Sequence, residues 1–178
     1  MTLKTSIDLD GVLCDFNQAY LDRFGVTTDS EITKNVQTVL KKDKEFWLNL
    51  PVINHLDWQP KQYTTARIIP KSWIKEYLAK EMFPKAPVYQ VPGYGLSKYS
   101  RIKAGGCQLH IDDSLHIFID LNMKGIPCLL LNTPENQNYT EAVGRIYSLD
   151  KDEIEESYHL FKDTIFPHFK EFIQCVYN

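Results

Sequence analysis

Five short apolar runs recur along this chain, each followed by a helical stretch, and that alternation limits the fold more than any other feature. The runs are KTSIDLD (4–10), QYTTA (62–66), APVYQV (86–91), CQLHIDD (107–113) and PCLLLNT (127–133). Strands alternating with helices predict an α/β fold with a parallel sheet. In such sheets the ligand sits beyond the carboxyl ends of the strands. Asp8 and Asp10 close the first run, Thr64 and Thr65 the second, and Asp112 and Asp113 the fourth. Residues far apart in sequence should therefore meet on one edge.

The intervening segments carry helical spacing. FNQAYLDRFG spaces Phe16, Tyr20 and Phe24 by four, and Gly25 can end it. TTDSEITKNVQTVLKK begins with cap-type residues and carries Ile32, Val36 and Leu40 at the same spacing. DKEFWLNL adds a short amphipathic piece. These three predict a small helical cap over 16–57, inserted after the first strand. The core, 1–15 and 58–178, should be a Rossmann-like parallel five-stranded sheet flanked by helices. Helices are expected over PKSWIKEYLAKEMF (70–83), SKYSRIKAGG (97–106, with Ser97 as cap) and SLHIFIDLNMKG (114–125). A long last helix over 150–177 opens with Asp150 and Glu153 at capping-box spacing. Pro167 should kink it.

Composition narrows the function classes. A chain of 178 residues suits one domain with a small insertion. A net charge of −3 gives no electrostatic case for wrapping nucleic acid. No stretch approaches the roughly 20 apolar residues of a membrane helix. Cys14, Cys107, Cys128 and Cys175 are scattered, which predicts free thiols in a reducing compartment and a cytoplasmic protein. Monomer and homodimer are both open.

The acids carry the chemistry. Asp8, Asp10 and Asp112 could supply a site for Mg²⁺, which takes carboxylate oxygens and binds with substrate phosphates. A carboxylate there can act as nucleophile and form an acyl phosphate. A second can protonate the leaving oxygen and later deprotonate water. Thr65 and Lys98, at a strand end and a helix start, could hold phosphate oxygens. Blander roles compete: Asp8 and Asp10 as a turn, Asp113 and Ser114 as a helix cap, Asp15 bonding to local backbone, Arg67 in a salt bridge, His110 packed in its strand, and Phe16, Phe46 and Trp47 as the core of the cap.

DLDGVLCDF, YTTAR, SKYSRIK and HIDDS, in that order, resemble the haloacid-dehalogenase-like phosphohydrolases, and within them the 5'(3')-deoxyribonucleotidase branch. EFWLNLP and GIPCLLLNTPEN also look like that branch, so the resemblance covers nearly the whole chain. It implies Asp8 as nucleophile and Asp10 as general acid/base. It implies Mg²⁺ held by the Asp8 side chain, the Asp10 backbone carbonyl and the Asp112 side chain, with Asp113 behind them orienting waters or neighbours. Thr65 would bind phosphate through the Thr65-Ala66-Arg67 run, with Thr64 as the alternative. Lys98 would neutralise the phosphate, with Lys103 as the alternative. Phe16, Phe46 and Trp47 would pack against a nucleobase, and Arg67 is a further candidate to touch substrate or phosphate. The implied activity is Mg²⁺-dependent hydrolysis of nucleoside or deoxynucleoside 5'-monophosphates. Alternatives are another small phosphate ester, a nucleic-acid 3' end, or a catalytically idle phosphate-binding module.

Overall fold

A computed structural model describes the chain except residues 1–2, 26–27, 68, 82–84, 92–95, 140, 142 and 178. The strands are β1 (Thr5–Asp8), β2 (Gln62–Thr65), β3 (Val88–Gln90), β4 (Leu109–Asp112), β5 (Cys128–Leu131) and β6 (Arg145–Ile146). They form one sheet in the order β3-β2-β1-β4-β5-β6, and every neighbouring pair is parallel. The expected α/β architecture is therefore the observed one, with a sixth strand added at one edge. β6 has two residues, too few for a periodic pattern, so the sequence carried no signal for it.

All residues of β1, β2, β4 and β5 are buried. A parallel sheet covered on both faces reads as continuous apolar runs rather than alternation. Ile7, Tyr63, Ile111 and Leu129 stand in the core from these four strands.

Between β1 and β2 lie α1 (Phe16–Phe24), α2 (Asp29–Thr38), a 3-10 turn (Leu40–Lys42) and α3 (Lys44–Leu48). α1 starts where Asp15 accepts from the Gln18 N–H at 2.8 Å, so Asp15 is a helix cap. It stops at Gly25, whose φ of 68° lies in the left-handed region. Asp43 caps α3 in the same way. α3 packs against α4 (Lys71–Glu81), which joins β2 to β3. Residues 82 and 83, expected to finish α4, lie outside the described residues, as does Thr27 before α2.

The remaining helices are α5 (Leu96–Ala104), α6 (Leu115–Met123), α7 (Lys151–Thr164) and α8 (Phe169–Tyr177). α5 begins one residue before Ser97, so Ser97 is inside the helix rather than its cap. The expected long last helix is two helices. A 3-10 turn at Phe166–His168, containing Pro167, separates α7 from α8. Proline removes a backbone donor and crowds the preceding turn, and here that breaks the helix. Asp150 caps α7 by accepting from the N–H groups of Asp152 and Glu153. Glu153 does not complete a capping box. It reaches past Asp150 to accept from the Tyr147 N–H at 2.7 Å and the Ser148 hydroxyl at 2.5 Å.

Among the described residues, no helix is long and apolar enough to cross a membrane. Cys14, Cys107, Cys128 and Cys175 are free thiols.

Candidate functional site

The strand order reverses around β1, which has β2 on one side and β4 on the other. That reversal opens a crevice at the carboxyl ends of β1 and β4, where α/β sheets bind ligands. β1 and β4 pair Ile7 with Ile111, so Asp8 and Asp112, one residue further, emerge side by side. β1 and β2 pair Asp8 with Thr64, and the Thr64 hydroxyl donates to Asp8 Oδ1 at 3.0 Å.

A cleft of about 610 Å³ lies over this edge, with Asp8, Asp10, Lys98, Asp112, Asp113 and Gly11 in its lining. Lys98, near the start of α5, is buried. Its ammonium lies 2.9 Å from Asp8 Oδ1 and 2.5 Å from Asp112 Oδ2. Lys103 points elsewhere, with its ammonium donating to the Tyr99 hydroxyl at 3.0 Å. The structure therefore brings Lys98 to the site and leaves Lys103 out.

Asp8, Asp112 and Asp113 each offer an oxygen, and these oxygens lie within 4.8 Å of one another. The sequence expected Asp113 behind the cluster; the structure puts it within the cluster. Asp10 contributes no side chain to the group. Its Oδ1 pairs with the buried Arg67 guanidinium, and its Oδ2 accepts from the Thr65 hydroxyl at 3.1 Å. Arg67 also donates to Cys14 Sγ at 2.9 Å and lies 5.1 Å from the centre of the Trp47 ring. Arg67 is thus in a salt bridge, outside the cleft lining. Neither Thr64 nor Thr65 is exposed, and each hydroxyl is bonded to an aspartate. Ala66 is the residue of that run that lines the cleft.

The electrostatics divide the acids. Burial would raise Asp112, but Lys98 and His110 outweigh it and hold the carboxyl well below its ordinary value; the Ser114 N–H also donates to its Oδ1 at 3.0 Å. Burial pushes Asp8 up to about 7, helped by Asp112 and Asp10 and opposed by Lys98. Burial pushes Asp113 up to about 8, with Asp112 and Asp8 adding to it. Of the acids sharing Lys98, Asp112 has the shorter contact and the additional donors, so it is the one that stays ionised. Burial likewise lowers His110, so its ring is neutral and its Nε2–H donates to Asp112 Oδ2 at 2.8 Å. His110 is a packed strand residue that orients a site carboxylate. Lys98 would be lowered by burial, but Asp112 and Asp8 hold it well above its ordinary value.

Gly11 is required here. Its φ is 73°, and a Cβ at this position would lie 2.0 Å from Asp113 Oδ2. Only a residue without a side chain lets the loop after β1 approach Asp113 so closely.

The three aromatics part company. Phe16 lines the cleft. Phe46 and Trp47 are buried and do not line it; they form the core of the 16–57 segment. Phe16 stacks on Trp47 with ring centres 5.5 Å apart, and Phe46 meets Trp47 edge-on at 5.2 Å. The Trp47 indole N–H donates to Leu40 O at 2.7 Å. Burial of the large apolar rings outweighs any role at the surface of the site.

Sequence reasoning missed the opposite wall, made by Leu131–Glu135 and Tyr147. It also missed Asn136, which donates to the Asp113 carbonyl at 2.8 Å, and buried Arg145, which donates to Asn136 Oδ1 at 2.7 Å. The TPEN turn was the available signal for Asn136.

All-oxygen donors, clustered and partly buried, fit a hard divalent cation. Burial first, and neighbouring carboxylates second, disfavour the ionised forms of Asp8 and Asp113, and a bound cation would favour those forms. Neither protein-family models nor curated protein sequences give the chain a match.

Proposed function

We propose that the protein is a Mg²⁺-dependent phosphatase that hydrolyses phosphate monoesters through an aspartyl-phosphate intermediate, acting on nucleoside or deoxynucleoside 5'-monophosphates in the cytoplasm. The observation that carries this reading is the Lys98 ammonium set between Asp8 and Asp112 in a cleft that also holds Asp113. Asp8, Asp112 and Asp113 are the side chains that would hold the cation, which would polarise the phosphoryl oxygens and offset the carboxylate charge.

Thr64 and Lys98 both engage Asp8 Oδ1, so attack on phosphorus falls to Oδ2. The ester P–O bond breaks as the Asp8–phosphorus bond forms, and the leaving oxygen takes a proton from Asp10. Water then attacks the acyl phosphate and gives its proton to Asp10, which releases phosphate and restores Asp8. Asp10 suits this exchange because its position is set independently of the cluster, by Arg67 and Thr65. As a phosphate oxygen takes over the Thr65 hydroxyl, the singly protonated ester passes its proton to the freed Asp10 Oδ2, Asp10 delivers it to the leaving oxygen, and the product phosphate later carries away the proton that Asp10 takes from water. Lys98 offsets the phosphate charge. Among the described residues, six acidic side chains, Asp8, Asp10, Asp15, Asp112, Asp113 and Glu135, and one lysine line the cleft. That balance supports a small monoester over a nucleic-acid end, whose further phosphates would find no second cation among these residues.

The test is phosphate release from a panel of nucleoside monophosphates and sugar phosphates, with and without Mg²⁺. Turnover should vanish in excess chelator and return with Mg²⁺. Full turnover in chelator would overturn the mechanism.

A further inference from the structure

The cleft has two unlike walls. One comes from the 16–57 segment and includes Phe16, Ile53 and Asn54; the other includes Asn132, Thr133, Glu135 and Tyr147. Tyr147 is 67% exposed, so its ring fills no core. Its backbone is nonetheless tightly held. The N–H of Tyr147 and the hydroxyl of Ser148 both donate to Glu153, in the first turn of α7. Two residues before it, Arg145 is buried and donates to Asn132 Oδ1 at 2.6 Å, to Asn136 Oδ1, and to the carbonyls of Asn136 and Tyr139. That clamp joins β6 to the turn after β5. It also fixes the Asn132 carboxamide, because the carbonyl oxygen faces Arg145 and the amide NH₂ becomes the donor available to a ligand.

We infer that Tyr147 and Asn132 recognise the planar, uncharged part of the substrate, a nucleobase, with Tyr147 as stacking platform and Asn132 as donor to a ring carbonyl or ring nitrogen. An exposed aromatic on a rigid backbone loses little freedom when a flat ring stacks on it. Lys98 is the one cation among the described lining residues and is taken up by the phosphate, so a second anionic group would find no counter-charge, and the part of the ligand beyond the phosphate is neutral. The inference rests on the phosphatase reading for the placement of the phosphate beside Lys98.

Binding separates the two. In an Asp8→Asn background, which cannot form the acyl phosphate, titration calorimetry with thymidine 5'-monophosphate and with ribose 5-phosphate compares ligands with and without a base. Thymidine 5'-monophosphate should bind more tightly. Adding Tyr147→Ala should weaken it about 5- to 150-fold, the range for loss of one base–aromatic stack. Tyr147→Phe should restore it, and Asn132→Ala should change the ranking among the bases. Equal binding of the two ligands, or a thymidine 5'-monophosphate affinity unmoved by Tyr147→Ala, overturns the inference. Failure of the phosphatase reading shows differently: the wild-type chain would bind these ligands in the same order yet release no phosphate with Mg²⁺.

Discussion

At the scale of single residues, the site is a set of unequal carboxylates around one ammonium. Asp8 and Asp10 have different neighbours and should fail differently. Asp8→Asn removes the proposed nucleophile, so single-turnover assays should find no phosphate release. Asp10→Asn removes the proposed acid/base, whose help is typically worth ~10²–10⁴-fold, and should slow both half-reactions of the proposed mechanism. Near-normal turnover in Asp8→Asn would mean that water attacks phosphorus directly. Gly11→Ala tests the close approach of the loop. The left-handed conformation alone costs ~1–2 kcal/mol with a side chain, and the new Cβ would displace Asp113 from a position 2.0 Å away. Chemical denaturation should record the lost stability, and calorimetry should record weaker Mg²⁺ binding. Unchanged Mg²⁺ affinity would remove Asp113 from the set of ligands.

At the scale of elements, the strands that end in chemistry were legible because an apolar run closed by acids or hydroxyls is hard to place elsewhere. The places of Asp8 and Asp112 followed from the ends of β1 and β4, and that of Lys98 from the start of α5; at the end of β2 the sequence favoured Thr65, whereas the hydroxyl on Asp8 is that of Thr64. What escaped has physical reasons. β6 pairs only Arg145 and Ile146 with β5, so no periodicity announced it. Tyr147 is a lone exposed ring between a strand and a helix, a position with no sequence signature. Phe46 and Trp47 were ambiguous because neighbouring aromatics on a short helix can serve a core or a pocket, and spacing alone does not choose. Their burial changes the expected outcome of a mutation. Trp47→Ala should cost ~3–5 kcal/mol, as for a large buried ring, and should lower turnover of nucleotides and ribose 5-phosphate in the same proportion. Selective loss of nucleotide turnover would instead put Trp47 in contact with the base.

At the scale of the whole molecule, the acid cluster ties stability to pH and to the cation. Asp8 and Asp113 are raised to about 7 and about 8 in the folded chain, from an ordinary 3.8. The unfolded chain therefore binds fewer protons than the folded one between about 3.8 and those values, and stability falls as pH rises across that range until both groups are ionised. His110 is lowered and acts in the opposite sense, but its effect is complete above its ordinary 6.5. Thermal melts in chelator should therefore drop between about pH 6.5 and about pH 8.5. In the proposed function Mg²⁺ binds the ionised carboxylates, so it should stabilise the protein more at the upper end and release protons as it binds. A flat metal-free profile, with an Mg²⁺ effect equal at both ends, would place the cation elsewhere.

The outermost strands of the sheet, β3 and β6, have three and two residues. An open edge is a template on which another chain can add a strand, and very short edges are one way proteins blunt it. Here little ladder is left on either side for a neighbour to copy. Edge-to-edge aggregation and strand exchange are thereby disfavoured, and an assembly of two copies through a continued sheet is disfavoured with them.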